Sequence, residues 1–240
     1  MSEPLVPGIH LLTASTPDVS SVIDGIAHIH ASCVLNDGTL ATFLPPLSHP
    51  QIYQWWEERA REVSRGERQI IICLSKVKDR TTDKDAPAPW HAEGRVWPVI
   101  RSTTPSSPNQ APSNTALDTT ANPPGTEELE VSGVVSLATP FSQTGPFRAL
   151  VQKLFVSPLH RRRGIARQLM ARLEGVAVGL GRWNLMLDTE VGSGAELVYP
   201  RLGYERLGVV REYGYSPRDG RLVDEVWFWK DLRTMRRLEA

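Results

Sequence analysis

Apolar residues recur along this chain at the two spacings that distinguish strands from helices. Short apolar runs predict strands at residues 9–12 and 69–74. Between these runs, apolar residues at helical spacing predict two helices. The first begins near Asp18, and the second begins after Ser48 and ends at Gly66. The pattern therefore predicts a strand, two helices and a strand in the N-terminal third of the chain.

The C-terminal half continues this mixture of strands and helices. A helix that begins after Gly164 carries an apolar stripe, which includes Leu169 and Leu173. A second, short helix is predicted at residues 195–202. The order of these elements indicates an α/β (α+β) fold. Strands are predicted at residues 129–138, 149–156, 183–188, 204–215 and 222–230, with the first two and the last two pairing as hairpins.

Periodicity is lost between residues 78 and 127. This segment is rich in Pro, Thr, Ser, Asn and Asp. Such a composition cannot bury enough apolar surface to offset the entropy lost when the chain is ordered. We therefore predict a disordered insertion at residues 78–127 within a single domain that spans residues 1–240.

Composition and charge narrow the class of protein. The chain has 27 basic and 27 acidic residues, and this balance gives no global attraction to nucleic acid. No apolar run approaches the roughly 18 residues that span a membrane, and the chain start lacks the features of a secretory signal. Cys33 and Cys73 are too few for a disulfide framework, and the histidines show no metal-ligand spacing. We expect a cytoplasmic protein without a metal, nucleic-acid or membrane partner.

The most informative segment joins the end of a strand to a basic glycine turn and the start of a helix. The first N–H groups of a helix are unpaired and carry partial positive charge, so they can hold a phosphate or pyrophosphate. Gly164 lets the backbone approach such a group closely, and the small Ala166 keeps the first helical turn open. A solvated basic loop before a helix is the alternative interpretation.

The sequence Arg161-x-x-Gly164-x-Ala166 resembles (Gln or Arg)-x-x-Gly-x-(Gly or Ala), the acetyl-CoA signature of GNAT acetyltransferases. The order of elements along nearly the whole chain is similar to theirs. The resemblance implies the GNAT fold, a mixed central sheet flanked by helices that splays between its fourth and fifth strands to admit acetyl-CoA. It implies acetyl-CoA as a co-substrate, bound by Leu154, Phe155, Val156, Arg161, Arg162, Arg163, Gly164, Ile165, Ala166 and Arg167.

A second segment, residues 187–204, resembles the part of GNAT enzymes that closes the thioester site. Within the superfamily it is most similar to the tabtoxin resistance subgroup, as are the Val-Gln-Lys-Leu strand at residues 151–154 and the C-terminal hairpin. The matching residues of the second segment are Leu187, Asp188, Thr189, Gly192, Ala195, Glu196, Tyr199, Gly203 and Tyr204.

The resemblance implies catalytic roles, and each has a structural alternative. Tyr199 is expected to protonate the departing thiolate of CoA, unless it is only a core aromatic. Asp188 is expected to take a proton from the substrate amine, unless it caps the following turn, and Glu190 is the reserve base. The N–H of Val156 is expected to hold the thioester carbonyl. Pro200 departs from the pattern, since it biases the preceding tyrosine away from helical angles and so predicts a kinked helix or a displaced tyrosine.

These expectations favour an enzyme, an acetyl-CoA-dependent N-acetyltransferase that acts on a primary amine of a small molecule by direct attack on the thioester. An amino-acid-like acceptor is suggested by analogy with tabtoxin resistance. A protein or peptide acetyltransferase and a CoA-binding module that no longer catalyses are the alternatives. Trp227 and Trp229 alternate along a predicted strand as core or as a dimer surface, which leaves a homodimer open.

Overall fold

A computed structural model describes residues 4–77, 98–103 and 126–233. No helix within these ranges has the length and apolarity to cross a bilayer. The strands are β1 (Gly8–Leu11), β2 (Arg68–Lys76), β3 (Ile100–Thr103), β4 (Thr126–Ala138), β5 (Arg148–Val156), β6 (Asn184–Glu190), β7 (Glu205–Tyr215) and β8 (Leu222–Asp231). The α-helices are α1 (Val19–Asp37), α2 (His49–Ser64) and α3 (Ile165–Gly179), and short 3-10 helices span Pro158–His160 and Pro200–Leu202.

The strands form one mixed sheet in the order β1-β2-β4-β5-β6-β8-β7, and β3 pairs with the first residues of β4. All neighbouring strands are antiparallel except β5 and β6, which are parallel. Successive side chains of a strand point to opposite faces. In β2, Ile70 and Ile72 therefore pack against α1 and α2, while Ile71 and Cys73 pack against α3. Each face of the sheet is thus covered by helices.

The parallel strands β5 and β6 separate shortly after they begin. Their pairing joins only residues 148–150 to residues 184–186. Further along, Lys153 has a φ of 56°, in the left-handed region, opposite a register shift between Val134 and Ser136 of β4. Such a bulge bends the strand that contains it. The end of β5 therefore diverges from β6, and the mixed, splayed sheet predicted from the sequence is confirmed.

Part of the segment predicted to be disordered, residues 78–127, is ordered in the structure. Residues 98–103 and 126–127 lie within it, and Ile100–Thr103 forms β3 against the start of β4. Ile100 is buried in the core beneath α1 and α2. The burial of Ile100 and the pairing of its strand with β4 stabilise β3. The average composition of the segment does not indicate this short strand. The rest of the insertion, residues 78–97 and 104–125, lies outside the described residues.

The short helix predicted at residues 195–202 is wrong in its extent. Turns follow β6, and only Pro200–Leu202 forms a 3-10 helix, which ends at Gly203 with a φ of 81°. Pro200 has no N–H to donate to a preceding turn, and Gly192 and Gly194 have the lowest helix propensity among residues other than proline. An α-helix cannot propagate through this segment, so the chain approaches Tyr199 through turns.

Candidate active site

A groove of about 1130 Å³ lies where β5 and β6 separate. Its walls come from the end of β5 and the start of α3, the segment after β6, the end of α1, and the turn between β7 and β8. The fold therefore brings the two informative sequence segments to one groove. The sequence-predicted residues that line it are Leu154, Phe155, Val156, Arg161, Arg162, Gly164, Ile165, Ala166, Arg167 and Tyr199.

The turn before α3 presents backbone N–H groups to the groove. Gly164 is the N-cap, with a φ of 75° that favours glycine. The N–H of Gln168 donates to its carbonyl at 3.1 Å, so the N–H groups of Ile165, Ala166 and Arg167 precede the first bond inside the helix. A β-carbon on Gly164 would meet nothing nearer than Gln168 Nε2, at 3.9 Å. The space beside these donors is therefore open to an anionic ligand.

Two arginines of this turn are held by neighbouring elements. Arg161 donates two hydrogen bonds to the Asp37 carboxylate at the end of α1, one of them 2.8 Å long. Arg163 does not line the groove, and its Nη1 lies 3.4 Å from Nδ1 of His160. The other ring nitrogen of His160 lies 2.7 Å from the Glu130 carboxylate, and both of these side chains are fully buried. These contacts fix the turn to α1 and β4.

The end of β5 supplies a backbone donor. Ser157 N–H donates to Ser132 O of β4 at 2.9 Å, and backbone groups alternate in direction along a strand. The N–H of Val156 therefore points away from β4, toward the splay. Cys33 of α1 lies beside it, with Sγ 3.6 Å from Val156 O. Burial raises the pKa of the Cys33 thiol to about 12, so this thiol is a poor nucleophile at neutral pH.

Tyr199 lines the groove with its side chain buried. Its backbone is helical, with φ −64° and ψ −41°, because Pro200 takes the first position of the 3-10 helix, where a missing N–H is tolerated. Its carbonyl accepts the N–H groups of Leu202 and Tyr204, at 3.0 and 3.1 Å. Burial, together with the charge of Asp188, raises the pKa of Tyr199. The phenol therefore stays protonated near neutral pH, as a proton donor must.

Asp188 lies near the end of β6, on the sheet face opposite α3. Its neighbour Leu187 packs in the α3 core, and Asp188 itself is exposed and pairs in register with Trp227 of β8. In the turn after β6, the Glu196 carboxylate accepts the N–H of Gly192 at 2.6 Å. Glu196 therefore caps this turn at Gly192, and the catalytic and capping roles considered for Asp188 stay predictions.

Three charged residues near the groove have no functional role assigned to them by the sequence. Asp37 binds the arginine turn, Lys153 Nζ lies 5.7 Å from the ring centroid of Trp55, and Glu225 pairs across β6 and β8 with Glu190, which lines the groove. Burial lowers the pKa of Lys153. The sequence could have indicated Glu225, because strand alternation places it on the same face as Trp227 and Trp229. It could not have indicated Asp37, at the end of a helix, or Lys153, on a bulge.

A cluster of metal-ligand type lies between α1 and α2 and does not line the groove. His49 Nε2 is 2.5 Å from Asp24 Oδ1, and His28 Nδ1 is 2.9 Å from the Asp24 carbonyl. Although burial acts in the opposite direction, hydrogen bonds from the two histidines lower the pKa of Asp24. Sequence spacing did not reveal this cluster because His49 belongs to a different helix. These contacts describe a link between helices, and we assign no metal to it.

The family comparison concerns the part of the chain that builds most of the groove. Residues 126–206 match the model of the acetyltransferase (GNAT) domain. The matched range runs from β4 to the start of β7 and includes the arginine turn, α3, Asp188 and Tyr199. Residues 126–206 are therefore similar to a GNAT acetyltransferase domain, and acetyltransferase is the class of enzyme that this match indicates.

Solved structures share this fold over nearly the whole chain. An N-acetyltransferase from Staphylococcus aureus Mu50 has a TM-score of 0.55 at 13% identity, over 93% of this chain and 98% of that one. A ribosomal-protein-alanine N-acetyltransferase from Brucella melitensis has a TM-score of 0.55 at 16% identity, over 95% and 100%. A GNAT phosphinothricin acetyltransferase from Sinorhizobium meliloti, solved with acetyl-CoA, has a TM-score of 0.56 at 16% identity, over 93% and 88%. At these identities the likeness is one of fold.

Proposed function

We propose that this protein is an acetyl-CoA-dependent N-acetyltransferase that acetylates a primary amine of a small molecule by direct attack on the thioester. The observation that carries the proposal is one groove in which the open cradle at Gly164, the diverging end of β5 and the buried Tyr199 meet. The acetyl-CoA complex of the similar Sinorhizobium enzyme supports the same ligand here.

The chemistry asks for an anion site, a carbonyl donor and an acid. Acetyl-CoA, when bound, supplies an acetyl group already activated as a thioester. In this proposal the N–H groups at the start of α3 hold the pyrophosphate, and the N–H of Val156 holds the carbonyl oxygen, where negative charge develops. Tyr199 gives its proton to the departing sulfur, and Asp188 serves the amine. The raised pKa of the buried Cys33 thiol disfavours an acetyl-cysteine intermediate and supports direct transfer of the acetyl group to the amine.

A compact acceptor suits the shape of the groove. The carboxylate of Asp37 is bound by Arg161 from the arginine turn, and its carbonyl accepts a hydrogen bond from Arg218 in the turn after β7. These bonds draw three walls of the groove together, which favours a small molecule over an extended peptide. The Leu-Asp-Thr run that contains Asp188 supports a place near the tabtoxin resistance subgroup, and with it an amino-acid-like acceptor.

Different observations bear on the two alternatives, a protein acetyltransferase and a CoA-binding module without catalysis. The similar structures include enzymes named for phosphinothricin and for a ribosomal protein, so the fold alone does not choose between a small acceptor and a protein. A module without catalysis is disfavoured because Tyr199 keeps helical angles in spite of Pro200. A cytoplasmic location and a homodimer stay predictions.

The test is release of the CoA thiol from acetyl-CoA in the presence of two matched panels. One panel holds amino acids and small primary amines, and the other holds short peptides with free N-termini and lysines. We expect faster release with a member of the first panel. Faster release with peptides would favour the protein acetyltransferase, and release with neither panel despite tight acetyl-CoA binding would favour the module without catalysis.

A further inference from the structure

A carboxyl pair lies on the sheet face opposite α3, beside the splay. In the β6–β8 ladder, Leu187 and Phe228 pack toward α3, so Asp188 and Glu225 face the other way. Asp188 lies opposite Trp227 and Glu225 lies opposite Glu190, so the two carboxyl groups are diagonal neighbours on this face. Because two like charges this close disfavour ionisation of both groups, the pair favours a state that holds one proton.

The two members of the pair differ in exposure. A β-carbon on Gly214 would lie 2.6 Å from Oε1 of Glu225 and 3.4 Å from Cδ1 of Leu40, so the Glu225 carboxyl lies close against the Gly214 backbone and Leu40 lies near the same position. Glu225 is only 7% exposed, whereas Asp188 is open to solvent. A ligand that approaches this face meets Asp188 first and finds Glu225 behind it.

Charged groups from two other places act on the pair. Burial raises the pKa of Glu225 to about 7, and the nearby Asp188 and Glu190 carboxylates act in the same direction. Lys153 on the bulge of β5 acts against them, and Arg68 in turn disfavours the charged form of Lys153. A carboxyl group of this kind exchanges its proton readily near neutral pH.

The pair lies beside the groove: neither of its members lines the groove, but Glu190, which lies opposite Glu225, does. The charge of Asp188 acts on both Tyr199, which lines the groove, and Lys153, which marks the divergence of β5 from β6. We propose that Glu225 is a catalytic residue which, together with Asp188, binds the ammonium group of the acceptor and accepts its proton. This inference rests on the proposed function and narrows its acceptor to an amine that arrives as a cation.

The proton balance closes without any further reactant. The acceptor ammonium enters and gives one proton to the carboxyl pair, which has released its own proton to solvent. The freed nitrogen forms a bond to the acetyl carbon, the carbon–sulfur bond breaks, and Tyr199 protonates the sulfur. The nitrogen loses a second proton as the amide forms, and this proton restores Tyr199. The pair then releases the first proton to solvent, so one proton is produced per acetyl group transferred.

The first arm of the test needs no acceptor. Carbon-13 NMR of protein labelled at the glutamate carboxyl carbons follows the Glu225 signal, which is assigned by its loss in Glu225→Gln. We expect its titration midpoint near 7, and a lower midpoint in Asp188→Asn. A midpoint at the ordinary glutamate value of about 4.3 in the native protein would overturn the pair.

The second arm measures kcat/KM at neutral pH with the best amine from the small-molecule panel. We expect Glu225→Gln to lower kcat/KM by about 100-fold, the scale of general acid–base catalysis. Glu205→Gln, the same change at an exposed position of β7, is the matched control and should keep the native value. Activity of Glu225→Gln within about threefold of native would overturn the inference, since a change that small lies far below the loss of a general base.

Calorimetric titration with acetyl-CoA separates this inference from the proposed function. Glu225→Gln should bind acetyl-CoA as the native protein does, which also shows that the variant is folded. If the native protein binds no acetyl-CoA, both the proposed function and the carboxyl pair's role in it fail. If both proteins bind and the NMR and kinetic arms are negative, only the role of Glu225 fails.

Discussion

The proposed cofactor and acceptor regions differ in the groups that form them. The proposed cofactor region is one contiguous segment, in which the turn before α3 offers backbone N–H groups around Gly164. The proposed acceptor region lies beside the groove and consists of side chains from three strands, Lys153 of β5, Asp188 of β6 and Glu225 of β8. Backbone donors tolerate many side chains around them, whereas a carboxyl pair depends on each of its members. We therefore expect side-chain substitutions in the acceptor region to lower turnover strongly, and those in the cofactor region to weaken acetyl-CoA binding only slightly.

The largest effect is expected where the two regions meet. Tyr199→Phe removes the proposed proton donor, and kcat should fall by about 100-fold, within the range of general acid catalysis. The affinity for acetyl-CoA should not change. Tyr204→Phe, whose ring centroid lies 6.0 Å away in the same core, is the control in the same steady-state assay. Undiminished turnover of Tyr199→Phe with saturating substrates would rule out the acid role.

A smaller effect in the acceptor region comes from a single methyl group. Gly214→Ala places a β-carbon 2.6 Å from Oε1 of Glu225, so the carboxyl group must shift. We expect kcat/KM to fall about tenfold, a typical cost of displacing a catalytic group. Gly208→Ala in the same strand meets nothing within 4 Å and is the control. Equal kcat/KM values for the two variants would show that the reaction does not depend on the position of the Glu225 carboxyl group.

The carboxyl pair also predicts a pH dependence of stability. The pKa of Glu225 is raised from 4.5 to about 7 in the folded protein, so between these values the folded state holds the more protons. This contribution to stability is complete below 4.5 and is lost as the pH rises through about 7. Urea unfolding of the native protein and Glu225→Gln across this window should differ by a term of about 1 kcal/mol, since solvent screens a partly exposed pair. A constant difference would contradict the raised pKa.

The smallest effect is expected from a side chain in the cofactor region. Arg162→Ala should weaken acetyl-CoA binding by only about threefold, because the backbone donors and the helix dipole remain. Arg172→Ala, at an exposed position of α3, is the calorimetric control. A loss of about 100-fold for Arg162→Ala would show that the arginine, and not the backbone, is the main contact.

The same contrast explains what the sequence could predict. The cradle at Gly164 and the order of strands follow from local patterns, because a turn and the helix after it are contiguous in sequence. The divergence of β5 depends on the bulge at Lys153, and the placement of Glu225 diagonally across from Asp188 depends on the register of β8 with β6. Register is a tertiary property, so no local pattern fixes it. The predicted helix around Tyr199 is wrong in its extent because Gly192, Gly194 and Pro200 disfavour an α-helix there.

The groove at the start of α3 is expected to bind acetyl-CoA. Calorimetric titration of the native protein, Gly164→Trp and Gly181→Trp is the sharpest test, because both glycines lie at ends of the α3 region with φ of 75° and 70° in open surroundings. We expect micromolar binding that is kept in Gly181→Trp and lost in Gly164→Trp. Absence of binding to the native protein, or equal binding by the two variants, would contradict it.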